Sequence, residues 1–360
     1  MQAIPCVLMR GGTSKGPVFL GSDLPQDPTA RNELLLALMG SGNELEVDGI
    51  GGGYPQTSKV AIVSPSDVPG VDVDYLFVQV LVEQRRVDTS PNCGNMLSAV
   101  GPFAIEQGLV DVKGDVTRLT IRNLNTDTLI DADIQTPDGK VTYVGDTAID
   151  GVPGTAAPVL LEFHNVVGAK TGKLYPTGQA RDVIDGVEVT CIDAAMPMVL
   201  IRAADLGKRG DESPAELDAD STLMHRLESI RLQAGQAMGF GDVVERVIPK
   251  PVLISEPDAG GALRVRYFMP HRCHRALAIT GAVGLAIASM EGSGITAGIA
   301  QAPEGLLEFE HPSGQLGVMT RWPADQTWPS CSLVRTARRL FSGSVYAPEN
   351  VALDVVSGAT

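Results

Sequence analysis

The chain has 360 residues, enough for two domains with separate cores, and 44% hydrophobic against 20% charged residues is the balance of a soluble globular protein. A net charge of −15 argues against nucleic acid or a membrane surface as partner, so an anionic ligand would need a pocket with its own Lys, Arg and helix N-termini. No run of about 18 apolar residues occurs, the start Met1-Gln2-Ala3-Ile4-Pro5 is unlike a signal peptide, and the five cysteines are scattered without a Cys-x-x-Cys pair. A disulfide framework and a zinc site are therefore not expected, and a reducing cytoplasm fits best.

Pro5 to Met9 reads as a first strand that ends in Arg10-Gly11-Gly12-Thr13-Ser14-Lys15-Gly16, a Gly-rich turn with cations and hydroxyls that could nest an anion. The spacing does not meet the Walker A pattern. Pro17 to Leu20 resumes a strand, and Ala30 to Met39 reads as a helix with Leu34, Leu35 and Leu38 on one face and Gly40 as its stop. A second Gly-rich loop, Asp48 to Gly53, leads through Thr57-Ser58-Lys59 into the buried run Val60 to Val63. Lys59 is thus placed at the mouth of a buried strand, where lost hydration favours the neutral, basic amine. A lysine snorkelling from a strand end is the plainer alternative.

Val71 to Val82 alternates as a further strand. Asn92-Cys93-Gly94-Asn95 then opens an apolar helical run from Met96 to Gln107. The free N–H groups of a helix start favour negative charge, so this stretch offers both a reactive sulfur and an anion cradle. A half-buried cysteine in a turn is the alternative. Leu119 to Thr155 is β-rich, Val159 to Phe163 is a strand, and Lys170 to Asp185 is a candidate linker. Val187 to Ile192 restarts the strand pattern, Leu217 to Ala234 reads as one helix, Val252 to Ile254 and Leu263 to Phe268 as strands, and Ala276 to Met290 as a buried, small-residue helix. The remainder alternates again.

The halves echo each other in order. Ile4 to Val7 resembles Val189 to Ile192, Pro17 to Leu20 resembles Met198 to Ile201, and Ser58 to Ser64 resembles Pro249 to Ser255. Asp74-Tyr75 sits opposite Arg266-Tyr267, and Ala99-Val100-Gly101 opposite Ala282-Val283-Gly284. The expected architecture is α+β: two pseudo-symmetric domains, each a mostly antiparallel sheet wrapped around a central helix, with the site in the inter-domain cleft. The expected boundaries are 1–183 and 184–360, the last strand being a candidate to return to the first domain.

Arg10-Gly-Gly-Thr-Ser-Lys-Gly16, Gly51-Gly52 with Thr57-Ser-Lys59, Asn92-Cys-Gly-Asn95 and the stretch from His274 to Gly281 resemble the PrpF-like isomerases of the diaminopimelate-epimerase-like superfamily, over nearly the whole chain. Pro270-His-Arg-Cys-His274 and Glu310-His-Pro-Ser-Gly314, among other stretches, resemble the branch that isomerises or tautomerises 4-oxalomesaconate in bacterial breakdown of gallate, protocatechuate and lignin-derived aromatics. The resemblance implies that Lys59 and Cys93 carry proton transfer. The epimerase cousins use two cysteines, but by the duplication the counterpart of Cys93 falls at Ala276, with Cys273 three residues off.

The expected substrate is an unsaturated tricarboxylate with a 2-keto group, whose carbon acid ionises to a delocalised dienolate. Gly94 and Asn95 amides, Arg10, Thr13, Ser14 and Ser58 are expected to hold its carboxylates, joined by Arg272 and His274 from the second half; His271, Lys250 and Lys15 are weaker candidates. No metal or organic cofactor is called for, and a homodimer is an open option. The alternatives are a 2-methylaconitate-type cis-trans isomerase, a non-catalytic tricarboxylate-binding protein, and a Cys-nucleophile hydrolase using His271 or His274.

Overall fold

A computed structural model describes residues 2–89, 93–300, 304–324 and 326–348; Asn92 of the expected motif lies outside the described residues. The chain forms two compact units, Met1–Leu161 with Arg335–Thr360, and Glu162–Val334.

In the first unit, β1 (Gln2–Gly11) and β2 (Ser14–Leu20) make an antiparallel hairpin that turns at Gly12 and Thr13. The chain crosses through α1 (Pro28–Met39) to β3 (Lys59–Pro65), which lies parallel to β2. α1 starts where the Asp27 carboxylate accepts from Ala30 N and Pro28 fills the first turn, and it stops at Gly40 with φ 75°. β4 (Val73–Leu81) returns antiparallel to β3, and β5 (Arg86–Asp88) pairs with β4. α2 (Gly94–Glu106) follows, then β6 (Val116–Asn123) parallel to β4, β7 (Thr128–Gln135) antiparallel to β6, and β8 (Pro158–Phe163) beside β7.

The second unit repeats the order. β9 (Asp182–Ile184) pairs with β10 (Val187–Ala194), which forms a hairpin with β11 (Met196–Arg202). The crossover holds α3 (Pro214–Ala219) and α4 (Ser221–Ala237) and leads to β12 (Lys250–Ser255), parallel to β11. β13 (Leu263–Tyr267) returns antiparallel, and α5 (Ile279–Glu291) precedes β14 (Gly305–His311), parallel to β13. β15 (Gly314–Arg321) and the start of β16 (Ser330–Ala347) complete the sheet. From residue 335 onward β16 belongs to the first unit, where Ala337 to Ala347 pair with β1.

Each unit buries one helix among its strands. Every residue from Met96 to Ile105 of α2 is buried, and α2 packs on β1, β2, β3, β4 and β7. Gly281 to Ser289 of α5 are likewise buried, against β10, β11 and β15. Each fully buried Leu, Val, Ile or Phe contributes about 1.5–3 kcal/mol, which exceeds what helix propensity could supply to such Gly- and Ala-rich segments. Close approach needs glycine at matching steps: a Cβ on Gly101 would lie 2.7 Å from Ile134 Cδ1, and one on Gly284 2.5 Å from the Ala194 carbonyl oxygen.

Three expectations are corrected. The single helix from Leu217 to Ala234 is two, because Asp220 leaves helical geometry (φ −81°, ψ 89°) and caps α4 by accepting from Leu223 N. The β-rich stretch ends as regular strand at Gln135; 140–157 contributes an isolated bridge, Thr147 to Ala156. The segment 170–185 is not a linker. The Asp193 carboxylate accepts from Lys170 N (2.8 Å), Thr171 N (2.7 Å) and Thr171 Oγ1 (2.9 Å), which ties this stretch to β10. This stretch lies within the second unit, Glu162–Val334. α5 begins at Ile279 with Ala278 at its N-cap, the cap position that Cys93 takes on α2.

Candidate active site

The first unit brings Arg10, Thr13, Ser14, Ser58, Lys59, Cys93, Gly94 and Asn95 onto three adjoining segments. Cys93 is the N-cap of α2, extended at φ −136°, and the first intrahelical bond runs from Leu97 N to Cys93 O. The amides of Gly94, Asn95 and Met96 therefore precede the helical ladder and form its positive end. The β1–β2 turn packs on this end. A Cβ on Gly11 would lie 2.4 Å from Asn95 O, and one on Gly12 (φ 52°) 2.1 Å from Asn95 Oδ1. Asn95 Nδ2 donates to Thr13 Oγ1 at 3.0 Å, so its side chain braces the turn against the helix.

The same turn packs on the start of β3. A Cβ on Gly16 would lie 1.8 Å from Lys59 O and 3.4 Å from Met96 Cε, and Lys15 N donates to Gln56 O at 2.9 Å. Glycine is required where two backbones and the helix meet. Arg10 Nη1 donates to Gly12 O (2.9 Å), Thr336 O (3.1 Å) and Thr336 Oγ1 (3.0 Å), fastening the turn to β16. Burial, with Arg338 adding repulsion, lowers the affinity of this guanidinium for its proton. Ser14 is buried, Lys15 half-buried and Thr13 exposed.

β4 stands behind Lys59 and Cys93. Tyr75, Phe77 and Gln79 alternate onto one strand face. The Tyr75 hydroxyl donates to Cys93 O at 3.4 Å, Lys59 Nζ lies 5.0 Å from the centre of the Phe77 ring, and Lys59 Nζ donates to Gln79 Oε1 at 2.6 Å. Lys59 and Gln79 are direct partners in the β3–β4 ladder. The contacts of the sulfur residue and of the amine thus fall on neighbouring same-face positions of one strand, about 7 Å apart. Burial, with the charge of a Cys93 thiolate as second cause, pushes the Tyr75 phenol well above its usual range, so it stays a donor.

Ser58 is the exception among the expected ligand-binding residues. It is fully buried and gives its proton to Glu46 Oε2, which also accepts from Gly53 N at 2.9 Å. Ser58 therefore braces the loop ahead of Lys59 and does not present its hydroxyl to a ligand.

Arg272, His274 and Cys273 lie in the second unit. Arg272 is exposed on a tight turn in which Met269 N donates to its carbonyl at 2.7 Å. His274 packs edge-on against Tyr267 and accepts at Nδ1 from Ala276 N at 2.9 Å, so the neutral ring carries its hydrogen on Nε2. Lys250, the counterpart of Lys59, heads β12 and is 3% exposed; burial, then the nearby Arg231, lower its proton affinity. Among the described residues no group of three His, Cys, Asp or Glu side chains is placed to hold a metal ion.

Sequence reasoning missed Tyr75, Phe77, Gln79, Glu46 and Thr336. Gln79 carried a usable signal, a polar residue on the apolar parity of an alternating strand. Glu46 in its loop and Thr336 on the last strand carried none, since their partners are remote in the chain.

The family model described as PrpF protein matches residues 1–348. The protein YbhH of Escherichia coli (strain K12) is 59% identical over 97% of this chain and 100% of its own length. The (4E)-oxalomesaconate Delta-isomerase of Novosphingobium sp. (strain KA1) is 48% identical over 96% of this chain and 98% of that protein. The 4-oxalomesaconate tautomerase of Pseudomonas putida is 50% identical over 95% of both. A crystal structure of methylitaconate-delta-isomerase superposes with a TM-score of 0.89 at 33% identity, covering 100% of this chain and 98% of that one.

Proposed function

Because this chain belongs to the PrpF family and is an isomerase with that family's duplicated, diaminopimelate-epimerase-like fold, we propose that it moves a proton on 4-oxalomesaconate, with Lys59 and Cys93 as the acid/base pair and no cofactor. The observation that carries the reading is the placement of the Lys59 amine and Cys93 against neighbouring positions of one β4 face, beside the positive end of α2. The setting proposed with it is bacterial breakdown of aromatic compounds in the cytoplasm.

The chemistry needs a base, an acid and a sink for charge. Neutral Lys59 takes the proton from the carbon between the keto group and the alkene, and the electrons spread into a dienolate. The Cys93 thiol gives a proton to the far carbon for an allylic shift, or to oxygen for a tautomerisation. The ammonium and thiolate then return to their starting states by proton exchange with water. The Gly94 and Asn95 amides hold the developing negative charge, as an oxyanion hole does. Arg10 commits Nη1 to Gly12 and Thr336, and its Nε–Nη2 edge, with no bond among the described residues, pairs with a carboxylate side-on.

The test is proton exchange in deuterated water with 4-oxalomesaconate as substrate. Lys59→Ala and Cys93→Ser are each expected to slow deuterium incorporation and turnover by about 10²–10⁴-fold, the usual worth of a positioned acid or base. Native rates in both variants would refute the pair. Turnover of 2-methylaconitate in preference to 4-oxalomesaconate would refute the substrate alone.

A further inference from the structure

Lys59 is held by a side chain to which the proposed chemistry gives no role. Gln79 faces it across the β3–β4 ladder and accepts from Nζ at 2.6 Å. The carboxamide has one admissible orientation. Its Nε2 meets Pro55 O at 3.1 Å, Ser58 O at 3.0 Å and Val80 O at 3.2 Å, and carbonyl oxygens only accept. A flipped amide would set its oxygen against three oxygens and its nitrogen against an amine. Backbone carbonyls on both sides of the ladder therefore aim Oε1 at Lys59.

From this geometry we infer that Gln79 is the positioning residue of Lys59: by accepting one N–H it fixes the amine nitrogen beside the Phe77 ring. The inference rests on the proposed role of Lys59 as base. A neutral acceptor suits that role because it binds an N–H of either protonation state. A carboxylate in its place would hold the ammonium as an ion pair and retain the proton. The duplication adds a contrast. Lys250 heads β12 as Lys59 heads β3, but β13 ends at Tyr267, opposite Val252, short of Lys250, so among the described pairings the lysine has a partner on the returning strand in one copy only.

Other titratable groups surround the contact and stay constant in the test. Asp88 of β5 pairs with Gln79 in the ladder, and Glu46 contacts Ser58. Tyr75 and Cys93 lie along the same β4 face, and Arg10 and Lys15 come from the turn packed on the Lys59 backbone.

The experiment compares the full-length native protein with Gln79→Glu and Gln79→Met, each labelled at lysine Cε with carbon-13, using Lys59→Arg to identify the Lys59 signal. The Lys59 titration midpoint is expected about 1–3 pH units higher in Gln79→Glu, as for an opposite charge within contact distance, and lower in Gln79→Met. The acid limb of kcat/KM for deuterium exchange should move with it, which loss of fold would not produce. Coincident midpoints in proteins with native-like melts overturn the inference. Gln79→Glu sets its second oxygen against the Pro55, Ser58 and Val80 carbonyls, so Gln79→Met, which removes both polar groups, decides alone if Gln79→Glu does not fold. Ordered midpoints with a fully active Lys59→Ala would remove the base role of Lys59 and leave the Gln79 contact standing.

Discussion

Cys93 and Cys273 show how surroundings assign a thiol. Cys93 caps a helix with its backbone bonded by Leu97 N and by Tyr75. Cys273 sits well before α5, its N–H donating to Asp218 Oδ1 at 2.7 Å and its Sγ lying 3.7 Å from His274 O. Burial pushes the Cys273 thiol up to about 12, with Arg266 opposing and Asp218 adding to the shift. Its thiolate is therefore scarce at any pH below that value. Iodoacetamide at pH 8 is expected to leave Cys273 unmodified in the folded protein, as read by peptide mass mapping, and Cys273→Ala is expected to exchange protons at the native rate. Loss of exchange in that variant would restore a two-thiol mechanism.

Strands and turns are joined by buried polar groups whose charge matters. Glu310 of β14 accepts from Asp258 N (2.8 Å), Ala259 N (2.6 Å) and Gly261 N (3.1 Å), clamping the turn between β12 and β13. Desolvation alone would raise its carboxyl, but those three amides, helped by Arg264, outweigh it and hold it below the ordinary carboxylate range. A carboxyl lowered in the folded state stabilises above its unfolded value of about 4.3 and loses that contribution as pH falls through its folded value. Glu310→Gln is thus expected to lower stability at pH 7 by about 1–3 kcal/mol, since one oxygen becomes a donor facing amides. In urea melts the gap to the native protein should narrow below pH 4; a constant gap from pH 7 to pH 3 would rule the clamp out. Element types were largely readable, because Leu34 to Met39, Val60 to Val63 and the Met96 helix carry their periodicity locally. The break at Asp220 was not, because a single capping residue inside an apolar period looks like a helix surface position.

At the scale of the whole chain, one pattern of hairpin, crossover helix, parallel strand, returning strand and buried helix occurs twice, and the last strand serves both copies. β16 starts in the second unit, yet its residues from Ala337 on pair with β1, and its Thr336 O accepts from Gly12 N at 2.9 Å as well as from Arg10. Removing residues 335–360 strips β1 of one of its two partners and the turn of its anchor. The truncated chain 1–334 is expected to lose proton exchange and the cooperative melting of the first unit. A truncated protein with native turnover would show that the turn holds without β16.

The order of the duplicated elements, the Gly-rich turns and the candidate residues Lys59 and Cys93 could be read from the sequence alone. Each rests on local composition or on a repeat that alignment of the halves exposes. The tertiary structure decided what each candidate side chain touches: Gln79 for Lys59, Tyr75 for Cys93, Glu46 for Ser58, and Thr336 for Arg10 across 326 residues of chain. Periodicity records which face of an element is buried. Strand register and crossovers decide what that face meets, and those come from the packing of the whole unit.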